Sequence, residues 1–341
     1  MQYKKNKSMG IMCKGGMNIN MIINKNIISE YNLNHNFINN IFEDSAYIDI
    51  ETTGLSSAIN SIISLTILLK EEKNNTIYQL FSSSDEEEKE LIKFFVDLIK
   101  LKKFIITYNG KSFDLTFLNS KINKYSIEFD LNTLISIDLY KDMKSIKEKI
   151  NIDNIRLKTV ESFFGIIRND ELSGKDIIKL YESYKIHKKK EHMDLILTHN
   201  YEDVLYLPII FDNILKRYDR LLTSNYLGLL KINNKNITIN NKIIKIKSTN
   251  ITDYNLDYVC NKSTYKLVYK KYNTTTKIDL FTSYYSDNRG NYIIYIPNDE
   301  LCLQSFNTIN NLRPNIIPLV INDSILYENL YLIIEKIISC I

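Results

Sequence analysis

The sequence predicts an α/β fold, with a mixed sheet and flanking helices, followed by a smaller β-rich domain that ends in a helix. Three short apolar segments between residues 46 and 81 lie close together, as in an antiparallel meander. Apolar strands then alternate with segments of helical spacing up to about residue 222. Beyond that point, Tyr and β-branched residues favour strands. We expect an N-terminal extension at 1–40, an α/β domain at 41–222 and a β-rich domain at 223–341.

The composition excludes several classes of protein. Hydrophobic residues make up 44% of the 341 residues and charged residues 25%, which is typical of globular proteins and not of disordered or fibrous ones. No apolar run reaches the roughly 18–20 residues of a membrane helix, and the N-terminus lacks a signal-peptide core. The four cysteines are far apart in the chain, which predicts thiols in a reducing compartment. We therefore expect a cytoplasmic protein with no membrane partner.

The positive charge is unevenly distributed. The chain has 44 basic and 40 acidic residues, and its net charge is +4. Residues 221–341 contain 13 Lys or Arg and 9 Asp or Glu, so the whole excess lies in the last third of the chain. A modest basic excess is compatible with a nucleic-acid partner but does not demonstrate one.

The α/β part begins with strands. Residues 1–40 are polar and rich in Asn, which predicts an irregular or partly helical segment. Ala46–Glu51, Ser61–Lys70 and Thr76–Phe81 are apolar and strand-sized. Because the connections between them are short, the three strands should be antiparallel.

Helices and strands then alternate. Ser84 is a favourable N-cap, and the acidic run Asp85–Glu88 complements the positive end of the helix that follows. Lys103–Tyr108 is a fourth strand, a helix follows from Ser112 to about Ile122, and Leu134–Leu139 is a weaker fifth strand. This order predicts the mixed sheet.

The end of this part is predicted to be helical. Leu157–Phe164, Lys175–Ile186 and Glu191–Leu222 show apolar spacings of three and four, and Pro208 should kink the last helix. Arg168, which follows the first of these helices, could reach a phosphate or pair with Asp170 or Glu171.

The β-rich domain mixes tyrosines with lysines. Such residues on strands could form a platform that stacks bases and binds phosphates of a single strand. The alternative is that half of these tyrosines belong to the core of the sheet. The residues concerned are Tyr265, Lys266, Tyr269, Lys270, Lys271 and Tyr272.

Two carboxylates mark the end of the first strand of the meander. Asp49 and Glu51 are two residues apart, so both side chains leave the same face of the strand. Neighbouring carboxylates repel each other, and a divalent cation would relieve this repulsion. Oxygen ligands suit Mg²⁺ or Mn²⁺. The alternative is a solvated strand end.

Other acidic residues could join this pair. Asp114 follows the Asn109-Gly110 turn, which closes the fourth strand, and it can face Asp49 from the first turn of the next helix. The alternative is an ordinary acid at a helix N-terminus. His199 and Asp203 are four residues apart on a predicted helix and share one face. They could provide a general base and a metal ligand, although a lone histidine is more often structural.

Together these elements resemble the DEDD exonuclease superfamily of the ribonuclease-H-like fold, and within it the YprB-like branch. The similarity covers roughly residues 44–215. It rests on six segments: DIETTGL (49–55), TYNGKSFD (107–114), IDLY (137–140), LKTVESFFGIIRND (157–170), SGKDI (173–177) and HNYEDVLYL (199–207). Other members place a histidine five residues, or a tyrosine four residues, before the last aspartate. Here His199 lies four residues before Asp203, and helical phase favours it over Tyr201 as the base.

The resemblance implies a mechanism and a substrate. Two Mg²⁺ or Mn²⁺ ions would be held by Asp49, Glu51, Asp114 and Asp203, and His199 would act on the attacking water. The substrate would be single-stranded DNA or RNA with a free 3′ end, shortened stepwise from 3′ to 5′. A helicase partner is implied by the resemblance alone.

Four further residues are candidates for substrate binding, although each has a structural alternative in a turn or a cap. They are Thr52, Asn109, Asp138 and Lys158.

Two other functions stay open. The first is a nucleic-acid-binding or scaffold module that keeps the fold without turnover, against which the four carboxylates argue. The second is a structure-specific endonuclease on the same core, which circular or end-blocked substrates would distinguish from an exonuclease.

Overall fold

The computed structural model describes residues 21–33, 36–147, 152–217, 219–224, 228–250, 257–270, 275–303, 306–308, 313 and 315–339. The chain divides into two compact units, Met1–Arg217 and Tyr218–Ile341. The first has a mixed sheet with helices, and the second is rich in antiparallel strands. The predicted fold class is therefore confirmed, both for the α/β part and for the separate β-rich region.

Six strands form the sheet of the first unit, in the order β1-β4-β3-β2-β5-β6. The first four are antiparallel to their neighbours, whereas β5 runs parallel to β2, and β6 to β5. They are β1 (Ile22–Ile28), β2 (Ser45–Thr52), β3 (Ile62–Glu71), β4 (Asn74–Phe81), β5 (Phe104–Thr107) and β6 (Ile135–Asp138).

The strand β1 corrects the expectation of an irregular lead-in. All seven of its residues pair with β4, from Ile22 opposite Phe81 to Ile28 opposite Asn75. Its sequence, IINKNII, lacks clean alternation of apolar and polar residues, so periodicity did not reveal it. The pairing supplies the hydrogen-bond partners that the outer side of β4 would otherwise lack.

Eight helices are described in the first unit. They are α1 (Asn36–Ile41), α2 (Asp85–Ile99), α3 (Asp114–Lys124), α4 (Leu139–Ile146), α5 (Leu157–Phe163), α6 (Gly174–His187), α7 (Lys190–Leu205) and α8 (Leu207–Arg217). As predicted, Ser84 caps α2, and its Oγ accepts a hydrogen bond from the Glu87 N–H at 3.2 Å. Within the described ranges, no helix combines the length and apolar character needed to cross a membrane.

The helix predicted over Glu191–Leu222 is interrupted next to Pro208, at the position of the predicted kink, and its predicted end is wrong. Helix α7 ends at Leu205, and α8 begins at Leu207 and ends at Arg217. Pro208 has no N–H group and cannot continue the hydrogen-bond ladder of α7, whereas it is tolerated in the first turn of α8. Strand β7 (Asp219–Ser224) follows directly.

Both faces of the sheet are covered. On one face, apolar residues of the sheet pack against Leu91 and Phe95 of α2 and Phe117 of α3. On the other, Ile63 and Phe81 pack against α6 and α7. The strand β3 is buried along most of its length. Helix α7 therefore lies against the sheet beside the end of β2.

The second unit contains two antiparallel sheets and a helix. The first sheet has the order β10-β11-β12-β9-β8-β7, and the second has the order β13-β14-β15-β16. The strands after β7 are β8 (Gly228–Ile239), β9 (Ile243–Asn250), β10 (Tyr258–Asn261), β11 (Tyr265–Tyr269), β12 (Thr275–Phe281), β13 (Ser283–Ser286), β14 (Tyr292–Pro297), β15 (Ile316–Ile321) and β16 (Ser324–Ile325). The closing helix predicted from Ser324 is α9 (Tyr327–Ser339).

For two tyrosines of the predicted platform, the structure supports the alternative that they belong to the core of the sheet. Tyr265 and Tyr269 are buried in a core shared by both sheets and α9, and along β11 they alternate with the exposed Lys266 and the half-buried Val268. Lys271 and Tyr272 lie outside the described residues. Of the cysteines, Cys260 and Cys302 are free thiols, and the other two lie outside the described ranges.

A buried ion pair connects two helices to the sheet. Lys121 of α3 is 2% exposed and Glu88 of α2 is fully buried, and their charged atoms are 3.3 Å apart. Glu88 also accepts hydrogen bonds from the Ile62 N–H, at 2.7 Å, and from the Tyr125 hydroxyl. Lys121 donates to the Asn60 carbonyl at 2.5 Å. The pair therefore holds the start of β3 against both helices.

Replacing Lys121 should destabilise the first unit strongly. Lys121→Ala removes the buried cation of Glu88 and leaves only the partly exposed Lys124, 3.7 Å away, so the loss should approach the roughly 3–5 kcal/mol of a broken buried pair. Lys93→Ala is the control, since Lys93 pairs with Glu90 at the surface and should change stability by less than about 1 kcal/mol. Denaturant unfolding measures both variants. Equal losses would show that the buried pair contributes no more than the exposed one.

Candidate active site

The candidate site lies at one edge of the first sheet. Strands β2, β5 and β6 are parallel, so their carboxyl ends meet at this edge. Asp49 and Glu51 lie near the end of β2, and Asp138 ends β6. The topology thus gathers acidic residues that are up to 89 positions apart in the chain.

A tight turn brings Asp114 into this group. Asn109, two residues after the end of β5, has a left-handed φ of 67°. At Gly110, an added Cβ would lie only 2.5 Å from the Thr107 side chain, so a larger residue cannot follow the same path. Asp114 then begins α3, and its Oδ1 accepts a hydrogen bond from the Ile50 N–H at 3.1 Å. That bond places Asp114 between the two acids of β2.

Helix α7 brings His199 and Asp203 to the same place. His199 Nε2 lies 3.3 Å from Glu51 Oε1 and 3.6 Å from Asp203 Oδ2. One ligand atom from each of these three residues lies within 4.8 Å of the others. Among the described residues, these three form the group whose ligand atoms are spaced to suit a metal ion. Asp49 and Asp114 are not members of this group.

The acids interact strongly. Burial and the charges of Asp114, Asp203 and Glu51 raise the pKa of Asp49 well above its usual range. Burial and Asp203 do the same for the pKa of Glu51. Burial raises the pKa of Asp114 to about 7, although its backbone hydrogen bonds oppose the change. A divalent cation would remove this penalty on the charged forms, so the donor set fits Mg²⁺ or Mn²⁺.

Arg168 is the main cation inside the cluster. Its side chain is 6% exposed, and its guanidinium contacts four carboxylates. The distances are 2.5 Å to Asp203, 3.0 Å to Glu161, 3.3 Å to Asp170 and 3.5 Å to Glu202. Although burial opposes the charge, Asp203 and Glu161 raise the pKa of Arg168. The contact with Asp170 is one of the predicted alternatives, whereas the contact with Asp203 was not predicted.

Asp170 fixes the imidazole of His199. Its Oδ2 lies 2.6 Å from His199 Nδ1, so the other ring nitrogen faces Glu51 and Asp203. Although burial opposes it, Lys158 and His199 lower the pKa of Asp170. Lys158 donates to Asp170 at 2.9 Å and to the Leu172 carbonyl at 2.5 Å. Lys158, a predicted substrate ligand, therefore contacts Asp170, the residue that bonds to His199 Nδ1.

Asn200 holds the other side of the cluster. It is fully buried, and its Nδ2 donates to Asp49 Oδ2 at 2.7 Å. Its Oδ1 accepts from Ser64 Oγ at 3.0 Å and from Thr66 Oγ1 at 2.7 Å. These two hydroxyls fix the direction of the amide. Asn200 was not among the predicted site residues, although its spacing of three from Asp203 places both on one helix face.

The other predicted substrate ligands shape turns beside the acids. Thr52 Oγ1 donates to the Gly54 carbonyl at 2.8 Å. Asn109 Oδ1 accepts from Ser112 Oγ at 3.1 Å. Asp138 Oδ1 accepts from the Asn109 N–H at 2.7 Å. Contact of these residues with a substrate stays a prediction.

The pKa of Asp114 predicts a pH-dependent stability of the metal-free protein. A carboxyl whose folded-state pKa of about 7 exceeds the usual 3.8 binds more protons in the folded state. Its contribution to stability therefore falls as the pH rises from about 4 to about 7. Asp114→Asn keeps the acceptor for Ile50 and removes the charge, so in EDTA its Tm should exceed that of the wild type by about 2 °C or more at pH 8.

The excess in Tm should shrink toward pH 5, where folded Asp114 is already neutral. The control is Asp194→Asn, which alters an exposed acid of α7. Melting curves at both pH values compare the variants. A Tm difference for Asp114→Asn that does not change with pH would contradict the raised pKa.

Comparison with known proteins finds a matching family model and several similar proteins. The RNase_H superfamily model matches residues 46–215. DNA polymerases of the Bombyx mori and Autographa californica nuclear polyhedrosis viruses are each 25% identical over 152 residues, which cover 36% of this chain. The matched segment spans 15% of the length of those polymerases.

Solved structures are similar at lower identity. The family B DNA polymerase of Pyrobaculum calidifontis matches 50% of this chain and 24% of its own, with 14% identity and a TM-score of 0.39. Brucella melitensis NrnC bound to pGG matches 53% of this chain and 76% of its own, with 15% identity and a TM-score of 0.34. The mixed sheet, the flanking helices and the family match agree that residues 46–215 have a ribonuclease-H-like fold.

Proposed function

We propose that the protein is a two-metal-ion exonuclease that removes nucleotides from the 3′ end of single-stranded DNA or RNA. The observation that carries this proposal is the approach of Glu51, His199 and Asp203 to within 4.8 Å. Asp49 and Asp114 raise the negative charge at the same place. The ribonuclease-H-like domain supports a nuclease, and the motifs DIETTGL and HNYEDVLYL favour the YprB-like branch.

Four carboxylates would hold the ions. Asp49, Glu51, Asp114 and Asp203 offer hard oxygen ligands, as Mg²⁺ and Mn²⁺ prefer. Bound ions of this kind supply an activated water and neutralise the charge that develops on the phosphodiester. Asn200 would keep the Asp49 carboxylate in one orientation, and Arg168 would do the same for Asp203.

His199 would accept the proton of the attacking water. Its Nδ1 faces Asp170, and a hydrogen on that nitrogen would bond to the carboxylate. The lone pair of Nε2 would then point toward Glu51 and Asp203, where a water could give up its proton. Asp170 would stabilise the imidazolium that results.

We further propose that the protein acts in the cytoplasm and that a helicase presents the strand to it. The first follows from the widely spaced cysteines, and the second from the family resemblance.

The test is a cleavage assay on DNA and RNA oligonucleotides labelled at the 5′ end, with Mn²⁺ or with EDTA. The wild type should produce a ladder of shortening products with Mn²⁺ alone. Asp203→Asn should lower the rate at least about 100-fold, as expected when a group that acts on the transition state is lost. Asp194→Asn, which alters an exposed acid of the same helix, should keep the wild-type rate.

Two outcomes would contradict the proposal. Cutting of circular or 3′-blocked strands would assign the site to an endonuclease. Binding of both nucleic acids without any cleavage would identify a binding module.

Asn200→Ala should weaken metal binding. Without its amide, the Asp49 carboxylate loses a 2.7 Å hydrogen bond that fixes its direction. Loss of such a partner typically costs about 10–100-fold in metal affinity, so the Mn²⁺ concentration for half-maximal activity should rise accordingly. Asn213→Ala is the control, since Asn213 donates to its own helix at Ile209. An unchanged Mn²⁺ requirement for Asn200→Ala would refute its orienting role.

A further inference from the structure

One sheet of the second unit has a basic face. Lys245 and Lys247 of β9, Lys266 of β11 and Lys277 of β12 are all exposed. Their neighbours along each strand, such as Ile246 and Ile278, are buried in the core with α9. Because side chains alternate along a strand, the four lysines point away from that core, on a single face.

The strand register places these charges close together. Lys247 lies directly opposite Lys277, and Asp279 lies opposite Lys245 on one side and Lys266 on the other. Directly opposite residues of antiparallel strands have Cβ atoms about 4.5–5.5 Å apart. Along β9, Lys245 and Lys247 are separated by about 6–7 Å. Of the residues that the structure describes on these three strands, the face therefore presents these four positive charges around one carboxylate, that of Asp279.

This arrangement is costly for the isolated protein. Like charges directly opposite in a sheet destabilise it. In the described parts of the chain, no carboxylate lies within 4.0 Å of any of the four ammonium groups; by contrast, Lys270 of the same unit pairs with Asp257 at 2.9 Å. A bound anion would supply the missing neutralisation.

We propose that this face, defined by Lys245, Lys247, Lys266 and Lys277, binds the phosphodiester backbone of single-stranded nucleic acid. A strand carries one negative charge at each phosphate, so it matches a repeated row of cations better than a single small anion does. The inference rests on the proposed function, because the bound strand would be the substrate of the first unit.

The chemistry of the face indicates backbone binding without base recognition. Tyr265 and Tyr269 of β11 are buried and cannot stack on bases from this surface. Lysine is a flexible point charge, suited to phosphates and poorly suited to reading base edges. Binding should therefore be insensitive to sequence and strongly dependent on salt.

The test measures binding of a fluorescent 20-nucleotide oligothymidylate and an oligouridylate by anisotropy. The full-length protein carries Asp203→Asn, and EDTA is present, so that the oligonucleotide is not hydrolysed during the measurement. Adding Lys247→Gln and Lys277→Gln should weaken Kd about tenfold at 100 mM salt, and the slope of log K against log salt should fall by about 1.4. Lys247→Arg with Lys277→Arg should restore both values.

The control removes two lysines that already have partners. Lys93→Gln with Lys100→Gln changes the net charge equally, but these residues pair with Glu90 and Asp97. This control should leave the salt slope within about 0.3 of the parent. Melting curves establish that every variant is folded.

Three outcomes would overturn the inference. The first is an unchanged slope for the Lys247→Gln, Lys277→Gln protein. The second is an equal loss in the control pair, which would indicate an effect of net charge alone. The third concerns vesicles that contain 30% phosphatidylserine, tested with the same proteins. If the Lys247→Gln, Lys277→Gln protein loses binding to these vesicles but keeps its binding to oligonucleotides, the face binds an acidic lipid surface. Because the binding assay needs no turnover, its result is independent of whether the wild type cleaves.

Discussion

The repulsion among the carboxylates at the end of β2 is the constraint on which the rest of the first unit depends. Asp49, Glu51 and Asp114 have raised pKa values because they are buried beside one another. In the unfolded chain these groups would be hydrated, and Asp114 would be far from the other two. They stay together because α7 lies on the sheet and brings Asn200 to Asp49 and His199 to Glu51. The packing of one helix therefore maintains an arrangement of charges that the charges themselves oppose.

The same constraint explains why hydrogen bonds fix the directions of Asn200 and His199. Asn200 is held by two hydroxyls of β3, and His199 is held by Asp170, which in turn accepts from Lys158. Each of these groups has its direction set by another. Chains of this kind are rigid because no member can rotate without breaking a bond inside a low-dielectric interior. Such rigidity is what a catalytic site needs, since small displacements of reacting groups reduce rates severely.

The sequence predicted the acids of the site and the mixed sheet, because both rest on local patterns. Asp49 and Glu51 share a strand face, and His199 and Asp203 share a helix face, so the periodicity alone relates them. Arg168 was harder to place, since its contacts depend on how the loop after α5 turns back toward α7. The strand β1 was missed because tertiary pairing with β4 outweighs its weak pattern. The end of α8 was missed because helical spacing continues into residues that pair as a strand.

The guanidinium of Arg168 affects how the first unit can fold without a metal ion. Arg168 is part of the polypeptide, so the acidic cluster contains a cation that does not have to be bound from solution. In the proposed metal-dependent enzyme, the chain could therefore fold before it binds metal ions, and folding and metal binding would be separate steps.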